Sequence, residues 1–476
     1  MSHLVSTAAQ IRELDRRAIA DLGVPGASLM ELAARGVADL VRSRVGSGSV
    51  GILAGPGNNG GDGWAVARWL ATWGIPVRVV HLGEPGPGDA RTMREITGRM
   101  RIPEEPWSGA LPAADLWVDA LFGTGLARPL AGDAAAAVAA LAGRRVVAVD
   151  LPSGLHADTG MVLGVAPRSE ATATFARWKP GLLAGRGPEL AGDVTVIDLG
   201  LELGGTDHVA ELADPAELAA KVPSRAITSH KRTSGHLLVV AGSLEMAGAA
   251  ILCCEGALAA GVGLLSLSIP AAAVARLGRL PPEVMVIPRD GALPDTARYS
   301  GVVAGPGLGG GRPLDPALAA ELRAGWREWA CPVVFDADAL PCALGGAGER
   351  VLTPHPGEAS RILGWDATTD RFRAVRALGT VALLKGPNTL ISDGARIHVN
   401  RTGNAGLATG GTGDVLSGVI GGLLARGLSA WDAARVGAWA HGAAADLLRD
   451  AGADEPRASD LPVAIARFLA SARKDR

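Results

Sequence analysis

Cysteine is scarce, four residues among 476, and Cys253, Cys254, Cys331 and Cys342 show no CxxC spacing. Two of them are chain neighbours that would pair only with strain, so no disulfide framework is expected and a reducing cytoplasm fits. Aromatic residues are only 4%, against 48% hydrophobic and 20% charged, a balance that reads as a soluble α/β chain with Ala-rich helices. There is no block of Lys or Arg and the net charge is −2, which excludes a sequence-independent grip on nucleic acid or on an acidic membrane. Small molecules are the expected partners. Where a signal peptide needs its apolar stretch the chain carries Arg12, Glu13, Asp15, Arg16 and Arg17, so export is not expected. Residues 256–275 lack charge over about 20 positions, the length of a membrane span. Pro270 and the run Leu264-Leu265-Ser266-Leu267-Ser268-Ile269 divide that segment into a helix followed by a buried strand.

Glycine, by contrast, is abundant at 66 residues, so glycine pairs arise by chance and single motifs carry little weight. Periodicity is more informative. Helical patterns over 8–22 and 28–44 precede short apolar strands at 50–54, 77–82, 116–119 and 146–150. A second block repeats the alternation, with strands at 237–241, 264–269, 302–304, 333–336 and 381–385 and closing helices at 414–426, 431–448 and 462–473. Short apolar strands separated by helices need crossover connections, hence mainly parallel sheets covered on both faces. Residues 211–228 are polar and proline-punctuated, with no strand expected. Domains of 1–214 and 215–476 follow.

The run Gly410-Gly411-Thr412-Gly413-Asp414 leads directly into an apolar helix. Glycines let backbone N–H groups approach a phosphoryl oxygen, and the helix start adds partial positive charge. Asp414, in the first turn, suits a base that takes a proton from a hydroxyl during phosphoryl transfer. The other reading is an ordinary helix-start carboxylate. In the first block, residues 55–63 follow a strand and open a helix, formally satisfying GxGxxG, yet Val80-His81-Leu82 provides no ribose-binding acid about 20 residues on. Asn58 and Asn59 instead offer amide donors and acceptors for a carboxamide, a sugar or a cation. Asp119 and Asp150 end two further strands, and Ser153 follows closely; in a parallel sheet all of these meet at one crevice. Convergent acids, amides and a hydroxyl suit catalysis or a metal, while each Asp singly suits a turn cap.

These motifs carry a resemblance. Through Leu29-Met30-Glu31, Asn58-Asn59-Gly60-Gly61-Asp62, Phe122-Gly123-Thr124-Gly125-Leu126 and Asp150-Leu151-Pro152-Ser153-Gly154, the first block resembles the NAD(P)H-hydrate epimerase family. Through Gly305-Pro306-Gly307-Leu308-Gly309, Asp336-Ala337-Asp338-Ala339-Leu340, Thr353-Pro354-His355-Pro356-Gly357-Glu358, Lys385-Gly386-Pro387-Asn388-Thr389 and the Asp414 motif, the second resembles the ADP-dependent NAD(P)H-hydrate dehydratase family. The resemblance implies an N-terminal Rossmann-like three-layer sandwich followed by a ribokinase-like α/β domain. It implies that Asn58, Asn59, Gly60, Gly61, Asp62, Gly123, Thr124, Gly125, Leu126, Ala127, Arg128, Pro129 and Asp150 contact the hydrated dinucleotide, with Asp150 catalytic. It assigns a potassium ion to Asn59, Asp119 and Ser153. In the second domain it gives Ala249, Gly309, His355 and the catalytic Asp414 to the hydrated dinucleotide, and Lys385, Gly386, Pro387, Asn388, Thr389 and Gly413 to ADP with Mg²⁺. A cytoplasmic homo-oligomer repairing NADH or NADPH is implied. Glu358 reads either as a magnesium neighbour or as a helix-start charge. Two positions depart from the family pattern: Arg232 stands where glycine is usual, and Met246 where tyrosine is common. The motifs alone leave open a kinase that releases its phosphorylated product.

Overall fold

The computed structural model describes residues 3–201, 207–228, 230–344 and 348–474. The chain divides into two compact units, Met1–Glu211 and Leu212–Arg476.

In the first unit the described residues form a seven-stranded sheet ordered Glu104–Pro106, Val77–His81, Val50–Ala54, Leu116–Ala120, Val146–Val149, Ala171–Phe175 and Asp193–Ile197. Every pairing is parallel. Val50–Ala54 and Leu116–Ala120 are buried at every position, as central strands covered on both faces must be. From Val50–Ala54 the chain first adds strands on one side, then returns to add the rest on the other. That reversal lies between Val50–Ala54 and Leu116–Ala120, and the loops after those two strands border the crevice where α/β sheets bind ligands. The helix Gly26–Val45 packs its apolar face on the sheet through Met30, Ala34, Val37, Ala38 and Val41.

The second unit has nine strands of its own among the described residues, in the order Ile397–Asn400, Thr389–Ser392, Val381–Leu384, Arg350–Leu352, Val333–Phe335, Gly301–Ala304, His236–Val240, Leu264–Pro270 and Val284–Arg289. They run parallel except at the Val381–Leu384, Thr389–Ser392 and Ile397–Asn400 end, which is antiparallel. The reversal here falls between His236–Val240 and Gly301–Ala304. Thr412–Ala425 crosses Ala247–Ala259 so closely that a Cβ on Gly256 would strike the Val415 carbonyl, and one on Gly418 the Cys253 carbonyl. This crossing fixes the position of the helix that begins beside Asp414.

The expected fold class is observed, with corrections in detail. The polar stretch 211–228 is not free of structure: Ala210–Leu212 is a strand, and Asp214 caps the helix Pro215–Lys221 by accepting from the Ala216 N–H. The helix expected over 8–22 is α-helical only over Ala8–Arg16, then widens into a π turn over Arg17–Asp21. No helix among the described residues is long and apolar enough to cross a membrane, and the 256–275 segment is the end of one helix followed by the strand Leu264–Pro270.

Candidate active sites

In the first unit a cavity of about 750 Å³ opens at the carboxyl ends of the central strands. Asn58, Asn59, Asp62, the 123–128 turn and Asp150 line it, together with Asp15 and Lys179. Gly60, Gly61 and Pro129 lie outside its lining. The two glycines serve packing instead: a Cβ on Gly60 would strike the Gly55 carbonyl, and one on Gly61 would come within 2.7 Å of the Met30 methyl.

Asp150 directly follows its strand with φ +65°, a left-handed conformation uncommon outside glycine and costing about 1–3 kcal/mol. The kink turns its carboxylate toward the cavity. Oδ1 meets the Lys179 ammonium at 2.8 Å and accepts from the Thr174 hydroxyl at 3.2 Å, while Oδ2 accepts from the Thr124 N–H at 3.1 Å. Lys179 is fully buried, and its ammonium also donates to Thr174 Oγ1 and the Phe175 carbonyl, each at 2.8 Å. Two further acids face this pair. Burial, aided by the charges of Asp150 and Asp15, pushes the Asp62 carboxyl well above the usual range, and burial likewise raises Asp15. Lys179 therefore lies in a pocket lined by four carboxyl groups, Asp15, Asp62, Asp89 and Asp150, with Arg12 and Arg128 as the other cations.

Asp119 and Ser153 are fully buried and bonded to each other. Ser153 donates to Asp119 through its hydroxyl at 2.6 Å and its backbone N–H at 2.7 Å. Burial lifts the Asp119 carboxyl to about 6 in spite of these bonds. Asn59 faces the cavity, and its Nδ2 is buried with no partner.

In the second unit Gly411, at φ +95°, turns the chain into Thr412–Ala425, placing Asp414 in the first helical turn. Among the described residues no side chain caps this helix start, which leaves N–H donors for a ligand. His441 Nε2 lies 3.0 Å from the Thr412 carbonyl, and burial holds this imidazole down to about 4 and hence neutral, so Nε2–H is the donor that braces the turn. Beside it, the Lys385 ammonium donates to Asp336 Oδ1 at 2.9 Å, and the Ser417 hydroxyl donates to Asp336 Oδ2 at 2.6 Å. Burial and then the Asp336 charge push the Asp414 carboxyl up to about 7, and the Lys385 charge only partly offsets them.

Other expected residues gather at the same edge. Gly309 donates its N–H to Asp338 at 2.8 Å, and Gly307, at φ +65°, would with a Cβ come 2.9 Å from Ala249. The Lys385 N–H donates to the Pro354 carbonyl at 2.9 Å, which ties the His355 loop to the end of Val381–Leu384. Gly413 lies against Lys385, whose Nζ would be 3.4 Å from a Cβ there. Residues 385–388 form the turn between Val381–Leu384 and Thr389–Ser392, with Gly386 and Asn388 at positive φ. Of the two readings of Glu358, the helix-start one is built: it accepts the His355 N–H at 2.8 Å while His355 Nδ1 accepts from the Gly357 and Glu358 N–H groups. Met246 is exposed at the start of Ala247–Ala259, and Arg232 is exposed in its loop; nothing in the structure explains either departure.

Asp336 and Asp338 entered the sequence reading only as part of a family motif, without a role, and Lys179 and Ser417 did not enter it. An acid closing the Val333–Phe335 strand was a signal for Asp336, like those used for Asp119 and Asp150. Lys179 left none, because its partner is supplied by another strand end.

Comparison with known proteins now adds to this geometry. Residues 26–181 match the family described as YjeF-related protein N-terminus, and residues 237–465 the family described as NAD(P)H-hydrate dehydratase. The chain is 38% identical to the bifunctional NAD(P)H-hydrate repair enzyme Nnr of Moorella thermoacetica over 92% of this chain and 91% of that protein. It is 36% identical to the protein of the same name from Escherichia coli, over 94% and 90%. Among solved structures, the ADP/ATP-dependent NAD(P)H-hydrate dehydratase of Bacillus subtilis, co-crystallised with ATP and Mg²⁺, matches 54% of this chain and 97% of its own at 31% identity and a TM-score of 0.50.

Proposed function

Since the chain belongs to the bifunctional NAD(P)H-hydrate repair enzyme family, we propose that it restores hydrated nicotinamide coenzymes with two active sites on one chain. Residues 1–214 interconvert the R and S epimers of the hydrate. Residues 215–476 dehydrate the S epimer to NADH or NADPH while ADP becomes AMP and phosphate. The observation that carries the reading is Asp414, placed in the first turn of an uncapped helix start and beside the Lys385–Asp336 pair.

The added hydroxyl is a poor leaving group. Asp414 accepts its proton as the oxygen attacks the terminal phosphorus of ADP, and AMP departs. The N–H groups around Gly411 to Gly413 and the Lys385 ammonium face the moving phosphoryl. The phosphoester then breaks at carbon: the ring nitrogen's lone pair expels phosphate, and loss of a proton from the adjacent carbon restores the dihydropyridine. A carboxyl titrating near 7 suits this base, a type of catalysis worth roughly 10²- to 10⁴-fold. Ala249, Gly309 and His355 border the space for the hydrated dinucleotide, and Lys385, Gly386, Pro387, Asn388, Thr389 and Gly413 receive the nucleotide. Asp338, with one oxygen held by the Gly309 N–H, would hold a magnesium ion that came with ADP better than Glu358, which is taken up in the helix cap, and such an ion would neutralise the diphosphate.

In the first unit the Asp150 carboxyl gives a proton to the departing hydroxyl, which leaves one face of the ring as water, and as carboxylate takes a proton back from the water that adds to the other face. Lys179, 2.8 Å from Oδ1, aims that carboxyl group. The oxygen atoms of Asn59, Asp119 and Ser153 suit a hard cation such as potassium. Four free, buried thiols accord with work in a reducing cytoplasm.

The test is a turnover assay of the purified protein with mixed epimers of NADH hydrate, comparing ADP with ATP. Recovery of reduced-nicotinamide absorbance from both epimers is expected. A stable phosphoester without that recovery would point to a kinase and sink the dehydratase reading.

A further inference from the structure

Arg371 opens the helix Arg371–Ala377 and is only 6% exposed, yet among the described residues no carboxylate lies within ion-pair distance of its guanidinium. It is turned on the backbone of the 385–388 turn instead. Nη1 donates to the Pro387 carbonyl at 2.6 Å, and Nη2 reaches the Leu384 and Lys385 carbonyls, each at 3.4 Å. One planar group thus spans both arms of the turn. Gly386 makes the approach possible: at φ +134°, a Cβ there would sit 3.1 Å from Nη2. Nε has no hydrogen-bond partner among the described residues.

A buried cation balanced only by carbonyl dipoles is unfavourable unless an anion also arrives. The visible lysine of the turn cannot fill that role alone, because the charge of Lys385 is already matched by Asp336 at 2.9 Å. Arg371 is the adjacent charge with no anionic partner. Its fixed fork suits it to hold several acceptors in one geometry, which an ammonium on a flexible stem does less well.

We propose that Arg371 is the positioning residue of the nucleotide site: it fixes the 385–388 turn from behind and supplies the unneutralised positive charge that draws the diphosphate of the co-substrate onto it. This rests on the reading of residues 385–389 as the nucleotide loop. Arg371 itself touches no reacting atom.

The test is calorimetric binding of Mg·ADP to the full chain, at several salt concentrations, for the wild type, Arg371→Gln, Arg371→Lys and Lys385→Met. The Gln variant is expected to weaken binding by about tenfold or more, the worth of a hydrogen bond to a charged group, and to flatten the salt dependence. The Lys variant is expected to keep the salt dependence but to recover only part of the affinity. The KM for hydrated cofactor and the rate of epimerisation should not change in either. Wild-type ADP affinity in Arg371→Gln, alongside a weakened Lys385→Met, overturns the role of Arg371 and leaves the loop assignment standing. Wild-type affinity in Lys385→Met overturns the loop assignment and this proposal with it. Equal losses for ADP and hydrated cofactor would mean a merely structural arginine and overturn the proposal too. If Arg371→Gln does not fold, Arg371→Lys decides, since unchanged ADP affinity there removes any need for the fork.

Discussion

Asp150 and Asp414 are the same chemical group prepared in opposite ways. Asp150 sits on a strained left-handed residue and receives its own buried ammonium at 2.8 Å. Asp414 sits on relaxed helical backbone, and the nearby ammonium gives its hydrogen bond to a different acid, Asp336. The first carboxyl group is bonded directly to an ammonium; the second is pushed up to about 7 by burial and by a neighbouring negative charge. On the roles proposed for them, a proton shuttle between two faces of a ring and a base for one deprotonation, the two carboxyl groups face different demands, and the units differ in where each puts its lysine.

Removing the second carboxylate should have the largest effect. Asp414→Asn is expected to lower dehydration by roughly 10²- to 10⁴-fold while epimerisation continues. The same change tests the electrostatics by its sign. Because the folded protein holds this proton more tightly than the unfolded chain, stability falls as pH rises from about 4 to about 7 and stays lower above. Asn removes that penalty, so the melting temperature should rise at pH 8, by roughly 2–4 °C per kcal/mol relieved, and stay unchanged near pH 4. A melting temperature that fell at pH 8 would mean Asp414 is not electrostatically frustrated.

In the first unit the lysine, not the acid, is the sharper probe. Lys179→Met leaves the buried Asp150 without its ion-pair partner, and breaking such a pair costs about 3–5 kcal/mol. Thermal melts should show that loss, and R-epimer consumption should fall to the spontaneous rate while S-epimer dehydration persists. Undiminished epimerisation in a folded Lys179→Met protein would remove Lys179 from the reaction.

The comparison also explains what the sequence made legible. The helix at Asp414 was readable because its start is local: glycines, a Thr and an Asp leading into an apolar run; it begins at Thr412, two residues before the expected start, with Asp414 in its first turn. The central strands were readable for the same reason, being short apolar runs. Ala171–Phe175 was missed because Ala-Thr-Ala-Thr-Phe has no such run although its first four positions are buried, and Glu104–Pro106 because an exposed edge strand needs no apolar face. The pairings that tune the sites were illegible on principle. Lys179 with Asp150, and Lys385 with Asp336, join residues that the sheet makes neighbours, and no spacing along the chain encodes them.

The smallest expected effect bears most directly on that division of labour. If Asp336 raises the Asp414 carboxyl by its charge and by engaging Lys385, then Asp336→Asn removes the repulsion and frees the ammonium at once. Both changes act in the same direction and lower the pH at which Asp414 ionises. With wild-type protein, dehydration should rise with pH through about 7, because the base works only when ionised. In Asp336→Asn that rising limb should move to lower pH by about one unit or more, the usual effect of exchanging a like charge for an opposite one. The maximal rate serves poorly as a readout, since loss of Asp336 also releases Ser417 and loosens the turn it anchors. The position of the limb depends on the electrostatics alone. A limb that stayed at 7 while the rate fell would assign Asp336 to anchoring and leave burial, with the Asp338 charge, as the cause of Asp414's raised carboxyl.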